Sequence, residues 1–274
     1  MITDEPRYFL SRGNGTNMLS DRQAEILSLI EREGAQYIED LARRYGLTTQ
    51  TIRRDINYLC DRGYARRFHG GVDVPVEGRN ISANARFEIN AAAKQVIARR
   101  IAAEIPEGAT VLMGIGTTVQ YVAEALRDHR DLTIVTNNID VALTLGDAKH
   151  LDVHLTGGVY RPDDRDSVGP DTVRYFQKFH AACCVVGTGG LHPDIGLLEF
   201  THEEALVTAA IIDSSEQRFL VADASKWLRP AAVKVVPFSR MSRFFTDHLP
   251  DDPSIADKLR QSGVDVVLCG SETS

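Results

Sequence analysis

Leu47-Thr48-Thr49-Gln50-Thr51-Ile52-Arg53-Arg54-Asp55-Ile56-Asn57-Tyr58-Leu59 is the stretch that decides how the chain is read. At about 100° per residue, Ile52, Ile56 and Leu59 fall into one narrow sector. Gln50, Arg54 and Asn57 lie opposite, with Arg53 at the flank. The inner edge is aliphatic, while the outer face carries groups that fork onto base edges. Arg pairs with guanine and Gln or Asn with adenine, in a major groove just wide enough for a helix.

The flanking sequence supplies the rest of such a module. Ser20-Asp21-Arg22-Gln23 has the form of a capping box and opens a helix with Ile26, Leu27, Leu29 and Ile30. A second helix carries Ile38, Leu41, Ala42 and Tyr45 on one face, stops at Gly46 and hands over to Thr48 as N-cap of the third. Helix, helix, short turn, recognition helix is the helix-turn-helix order. Tyr64 to Val72 then reads as a hairpin turned by Gly70-Gly71, a wing beside the groove. The residues expected on DNA are Thr49, Gln50, Thr51, Arg53, Arg54, Asn57, Arg66, Arg67 and His69.

Charge is segregated along the chain. The whole has formal net charge −7, yet residues 43–67 hold seven arginines against Asp55 and Asp61, and every basic residue before Lys94 is Arg. Residues 1–80 balance at twelve Arg and twelve acids, so the entire deficit belongs to the remainder. A solvated basic helix face is the bland alternative; order, capping and wing all point the other way.

A length of 274 residues with 43% hydrophobic content suits one large or two modest packed domains. No apolar stretch approaches the roughly 20 residues of a membrane span, and the acidic N-terminus does not read as a secretory signal, so a cytoplasmic location is expected. The four cysteines (60, 183, 184, 269) lack Cys-x-x-Cys spacing and read as buried reduced thiols. Residues 1–18 read as a flexible tail, with Met18 a second candidate start, 19–74 as the DNA-binding domain and 75–86 as an exposed linker.

From 87 to 274 the pattern changes to short apolar strands alternating with helices. The strands are Thr110 to Met113, Leu132 to Val135, Val153 to Leu155, Ala182 to Val186, Phe219 to Ala222, Arg243 to Thr246 and Asp265 to Leu268. Such alternation implies an α/β domain with a Rossmann-like, mainly parallel sheet covered on both faces.

Small polar residues gather where these strands end. Gly114-Ile115-Gly116-Thr117-Thr118 runs from strand into helix, the arrangement in which free N–H groups and the helix dipole favour a phosphate. It is neither Gly-x-Gly-x-x-Gly nor a P-loop, and alone would equally be a tight turn. Thr136-Asn137-Asn138, Gly157-Gly158, Gly187 to Gly190 and Asp223 to Lys226 end other strands in the same manner. Ligands of open α/β sheets bind outside those ends.

Thr51 to Asp55, Arg66 to Gly71, Gly116-Thr117-Thr118, Thr136-Asn137-Asn138, Gly157-Gly158 and Asp223-x-x-Lys226 together resemble a DeoR-type transcriptional regulator over nearly the whole chain after Met18. The resemblance implies a winged helix-turn-helix joined to a sensor domain that resembles sugar-phosphate isomerases. It further implies a repressor released from double-stranded operator DNA by a phosphorylated sugar or polyol, with no cofactor. Ile115 to Thr118, Ile134 to Asn138 and Leu197 to Phe200 look most like the branch answering to glycerol 3-phosphate. Residues implied in effector binding are Gly114, Gly116, Thr117, Thr118, Thr136, Asn137, Asn138, Gly157, Gly158, Gly189, Glu199, Asp223 and Lys226. Thr208 stands where the family commonly has Lys.

One winged domain covers a half-site, so a dimer or tetramer is expected. Linker 75–86 is expected to carry the signal between domains. The competing reading is an isomerase-like enzyme using Glu199, Glu203, Asp223 and Lys226 as acids and bases. A metal site at His192, Asp194, His202 and Glu203 matches no standard ligand spacing.

Overall fold

The computed structural model describes residues 19–61, 64–68, 70–73 and 83–270. Ser20 caps α1 (Asp21–Glu33) in the reciprocal box: its hydroxyl accepts from the Gln23 N–H, and the Gln23 side chain accepts from the Ser20 N–H at 3.0 Å. β1 (Gln36–Tyr37) and α2 (Ile38–Tyr45) follow, and Gly46 ends α2 in the left-handed region. In α3 (Thr49–Asp61) the first turn is held by the Thr48 hydroxyl, which accepts from the Thr51 N–H at 3.2 Å. β2 (Arg66–Phe68) and β3 (Gly71–Asp73) form the antiparallel wing.

Two details differ from the sequence reading. Phe68 pairs with Gly71, so Gly70 (φ +85) belongs to the turn whereas Gly71 begins β3. β1 also pairs with β3, making the wing sheet three-stranded; two residues are too few for a strand period to show. Ile26, Ile30, Leu41, Ile52, Ile56, Leu59 and Val72 form the core of this domain, each essentially inaccessible. Emptying one such site, as in Ile56→Ala, would cost about 2–5 kcal/mol.

Residues 83–86, assigned above to the linker, lie instead in helix Ala83–Glu88. The segment has no apolar period because polar tertiary contacts hold it. The Ala83 N–H donates to the Asp163 carbonyl, and the guanidinium of Arg86 pairs with Asp164 at 2.5 Å, both side chains largely buried. Helix Ala91–Ala102 follows, after Asn90 at φ 54.

Beyond it, seven strands form one parallel sheet. Their order is Asp265–Leu268, Arg243–Thr246, Ser215–Val221, Ala181–Val186, Thr110–Met113, Thr133–Thr136, Asp152–Leu155. All seven strands expected from sequence are members. Along Thr110–Met113, Val111 and Met113 enter one apolar layer and Leu112 the other, so both faces are covered. The order runs outward from Thr110–Met113 to Asp152–Leu155, then returns to Ala181–Val186 and runs the other way. The reversal falls between Thr110–Met113 and Ala181–Val186, and the crevice at the carboxyl ends of those strands is where an open α/β sheet takes its ligand. The hairpins Val159–Arg161 with Asp166–Val168 and Gly190–His192 with Gly196–Glu199 were not expected; strands of three or four residues leave no periodic trace.

Candidate DNA-reading surface and effector cleft

On α3, Ile52, Ile56 and Leu59 are buried, while Thr49, Gln50, Arg53, Arg54 and Asn57 are exposed and Thr51 half-buried. Asp55 faces inward. Its carboxylate accepts from Arg22 Nε at 2.7 Å and from Gln23 Nε2 at 3.1 Å, tying α3 to α1 and keeping a negative charge off the outer face. Sequence reading counted Asp55 only as a charge; its seat among the inward aliphatics was the available signal. Asp55→Ala should destabilise the domain by about 1.5–3 kcal/mol, the range for hydrogen bonds to a charged group, read as a lower midpoint in urea. Arg67 of the wing donates to the Asn57 carboxamide oxygen, coupling wing to α3. Arg66 lies on β2; His69 lies outside the described residues.

At the sheet reversal, Gly116 caps helix Thr117–Ala125 at φ 115 and ψ 152, a conformation that L side chains rarely adopt. This leaves the first N–H groups of a nine-residue helix facing the crevice. Thr117 and Thr118 line the cleft; the Thr117 hydroxyl donates to the Arg86 carbonyl at 3.4 Å. Across from them, Gly189 donates its N–H to Glu199 Oε2 at 3.1 Å, and any Cβ there would lie 2.9 Å from the Phe200 ring. Lys226 and Arg86 bring positive charge to the same cleft.

Glu199 is 4% exposed. Burial, reinforced by the neighbouring Glu204 carboxylate and opposed by Lys226 and Arg86, pushes its carboxyl up to about 8. It is therefore mainly protonated at neutral pH. Asp223 behaves oppositely: burial would raise it, but Lys226, Lys94 and hydrogen bonds from Ser225 hold it below the usual carboxylate range. Lys94 is itself buried, its Nζ donating to the carbonyls of Arg86 and of Ile89, the latter at 2.6 Å.

The cleft thus unites Gly116, Thr117, Thr118, Gly189, Glu199 and Lys226, with Asp223 beside Lys226. The other expected residues sit elsewhere. Gly114 packs against Ile211 and Val186. Thr136 accepts from the Asn138 N–H, Asn138 caps helix Ile139–Leu145, and the Asn137 amide donates to the Ser167 carbonyl at 2.8 Å. Gly157 accepts from the Thr172 hydroxyl, and Gly158 lies against Val168. These strand ends brace the Asp166–Val168 strand and its neighbours and do not border the cleft. Thr208 is buried and also lies off the cleft lining.

Sequence reasoning missed Arg86, hidden in an apparent linker, and Glu204. The latter completes a capping box with Thr201, a legible Thr-x-x-Glu signal. Glu204 also accepts from Arg161 at 2.8 Å, and Arg161 forks onto the fully buried Asp166 at 2.6 and 2.9 Å. Elsewhere, Asp194 pairs with Lys258 at 2.7 Å, and burial pushes the Cys183 and Cys184 thiols up to about 12. Among the described residues no helix is long and apolar enough to cross a membrane.

A groove-reading helix with its wing, joined to a sheet domain whose cleft suits a small anion, defines a ligand-responsive DNA-binding regulator. Residues 22–77 match the DeoR-like helix-turn-helix domain and residues 89–248 the DeoR C terminal sensor domain. The chain belongs to the DeoR family. It is 34% identical to the glycerol-3-phosphate regulon repressor of Escherichia coli over 91% of this chain and 99% of that one. It is 35% identical to the protein of the same name from Haemophilus influenzae over 92% and 97%. The HTH-type transcriptional repressor CsqR of Escherichia coli is 33% identical over 90% and 94%. These relatives are named as repressors, not enzymes.

Proposed function

We propose that the protein represses an operon of sugar or glycerol catabolism and leaves its operator when a phosphorylated effector fills the cleft, glycerol 3-phosphate being the preferred candidate. The observation that carries this reading is the convergence of the Gly116-capped helix start, Lys226 and Arg86 on one crevice at the sheet reversal. Backbone N–H groups and two cations favour a phosphate, while Glu199, mainly protonated, can donate to a ligand hydroxyl. The names of the relatives support glycerol 3-phosphate as the first compound to try. The protein acts as a dimer or higher oligomer in the cytoplasm, because two-fold operators call for two recognition helices.

The test is binding to DNA from its own promoter and neighbouring operons at one salt concentration, since phosphate contacts make affinity steeply salt-dependent. A panel of phosphorylated sugars and polyols is added in turn. Release of a specific fragment by one compound supports the reading, and operator binding indifferent to all of them contradicts it.

A pH dependence follows from Glu199. Its folded value lies above the unfolded one, so its proton is retained in the folded state through neutrality and lost as pH rises through about 8. Ionisation adds a negative charge beside the bound phosphate. Ligand affinity should fall above pH 8, by up to about tenfold per pH unit if binding requires the protonated acid. Glu199→Gln, measured by calorimetry between pH 7 and 9, should flatten that fall.

A further inference from the structure

The 3-10 turn Ala224–Lys226 stands between the cleft and the DNA-binding domain. On one side Lys226 borders the cleft. On the other, α1 packs against the turn, and Ser28 and Arg32 of α1 share a groove with Asn90, Asp223 and Ser225. Asn90 joins the two: its Nδ2 donates at 3.0 Å to Asp223 Oδ1, the oxygen that also accepts the Ser225 N–H at 3.1 Å. The adjacent Ile89 is 4% exposed within the apolar core of the winged domain. α1 in turn grips the recognition helix through Arg22 and Gln23 on Asp55. A contiguous path therefore leads from Lys226 through the turn, α1 and the Arg22–Asp55 pair to α3.

We propose that the turn Asp223–Lys226, latched by Asn90, is the relay by which the cleft and the recognition helix sense each other. This rests on the effector reading above and replaces linker 75–86 as the carrier of the signal. A ligand that engages Lys226 draws on the turn, the turn shifts its hold on α1, and α1 repositions α3 through Asp55. Coupling of this kind needs one element that both sites contact and whose equilibrium both bias. It is also reciprocal: operator and effector change each other's affinity by the same factor, and through the shared element the operator is expected to bias the turn on its own. The chain's single tryptophan, Trp227, follows Lys226 directly and packs against Phe238 and Phe244 at 5.8 and 6.2 Å between ring centroids. It is a built-in reporter of the turn.

The experiment uses the full chain and Asn90→Gly, which tolerates the positive φ and deletes the carboxamide. Operator affinity and glycerol 3-phosphate affinity are each expected to stay near those of the wild type. Ligand-driven weakening of operator binding, about 5- to 150-fold in typical allosteric systems, should fall below about 2-fold in the variant. Trp227 emission is followed separately while operator DNA is added without ligand. A shift is expected in the wild type and none in Asn90→Gly. Wild-type coupling in the variant, or wild-type emission unmoved at saturating operator, overturns the relay. A wild type that binds operator but none of the phosphorylated probes overturns the effector reading instead, and the Trp227 titration still decides the relay.

Discussion

Gly116→Asp is expected to abolish release by a phosphorylated ligand while leaving operator binding in place. Two separate penalties act. At φ 115 and ψ 152 a residue with a Cβ is strained, by about 1–3 kcal/mol. The new carboxylate would also confront the ligand's phosphate, and like charges brought together cost several kcal/mol. The charge repulsion by itself implies a loss of at least about 100-fold in ligand affinity, since each 1.4 kcal/mol is about tenfold; the strain weighs on the stability of the turn in the free and bound protein alike. Gly116→Ala separates the two, because a Cβ there meets no atom within 4 Å and only the backbone strain remains. Titration calorimetry with glycerol 3-phosphate reads both variants. An Asp variant that binds within tenfold of the wild type would place the phosphate away from this turn.

Arg54→Ala should act on DNA alone. Arg54 is exposed on the outer face of α3, with Asp55 turned away toward Arg22. Its guanidinium is therefore available for a bidentate contact with guanine, worth about 1–3 kcal/mol of discrimination at one base pair, or about 5- to 150-fold. Measured across operator variants at fixed salt, the loss should be confined to one position. An equal loss on every sequence, with a salt slope reduced by about one, would make Arg54 a phosphate contact instead.

Local signals carried most of the architecture. The capping box at Ser20, the stop at Gly46 and the aliphatic sector of α3 are contained in a few adjacent residues, so both helix borders and burial could be read directly. Central strands such as Thr110–Met113 and Ala181–Val186 were legible because they are buried on both faces and read as near-continuous apolar runs, whereas the half-exposed edge strands Asp152–Leu155 and Asp265–Leu268 were marked by shorter apolar runs. What stayed hidden depends on long-range partners. Arg86 is polar, lies in a segment without period, and its place at the cleft is set by a distant partner, Asp164. Asn137, Asn138 and Gly157 share the strand-end chemistry of Gly116 yet lie beyond the reversal in strand order. Composition could not separate a loop that braces a neighbour from one that borders the crevice. The state of Glu199 was equally out of reach, because it is set by burial and by Glu204 rather than by sequence neighbours.

The inward turn of Asp55 has a kinetic consequence. With that carboxylate spent on α1, Arg53 and Arg54 are relieved of the acid that adjoins them in the chain, whereas the acidic surplus of the chain lies after residue 80. A polyanion attracts the first surface and repels the second. Diffusing molecules should thus be oriented before they touch the duplex, which raises the productive fraction of collisions and makes the association rate, not only the final affinity, fall as salt screens the field.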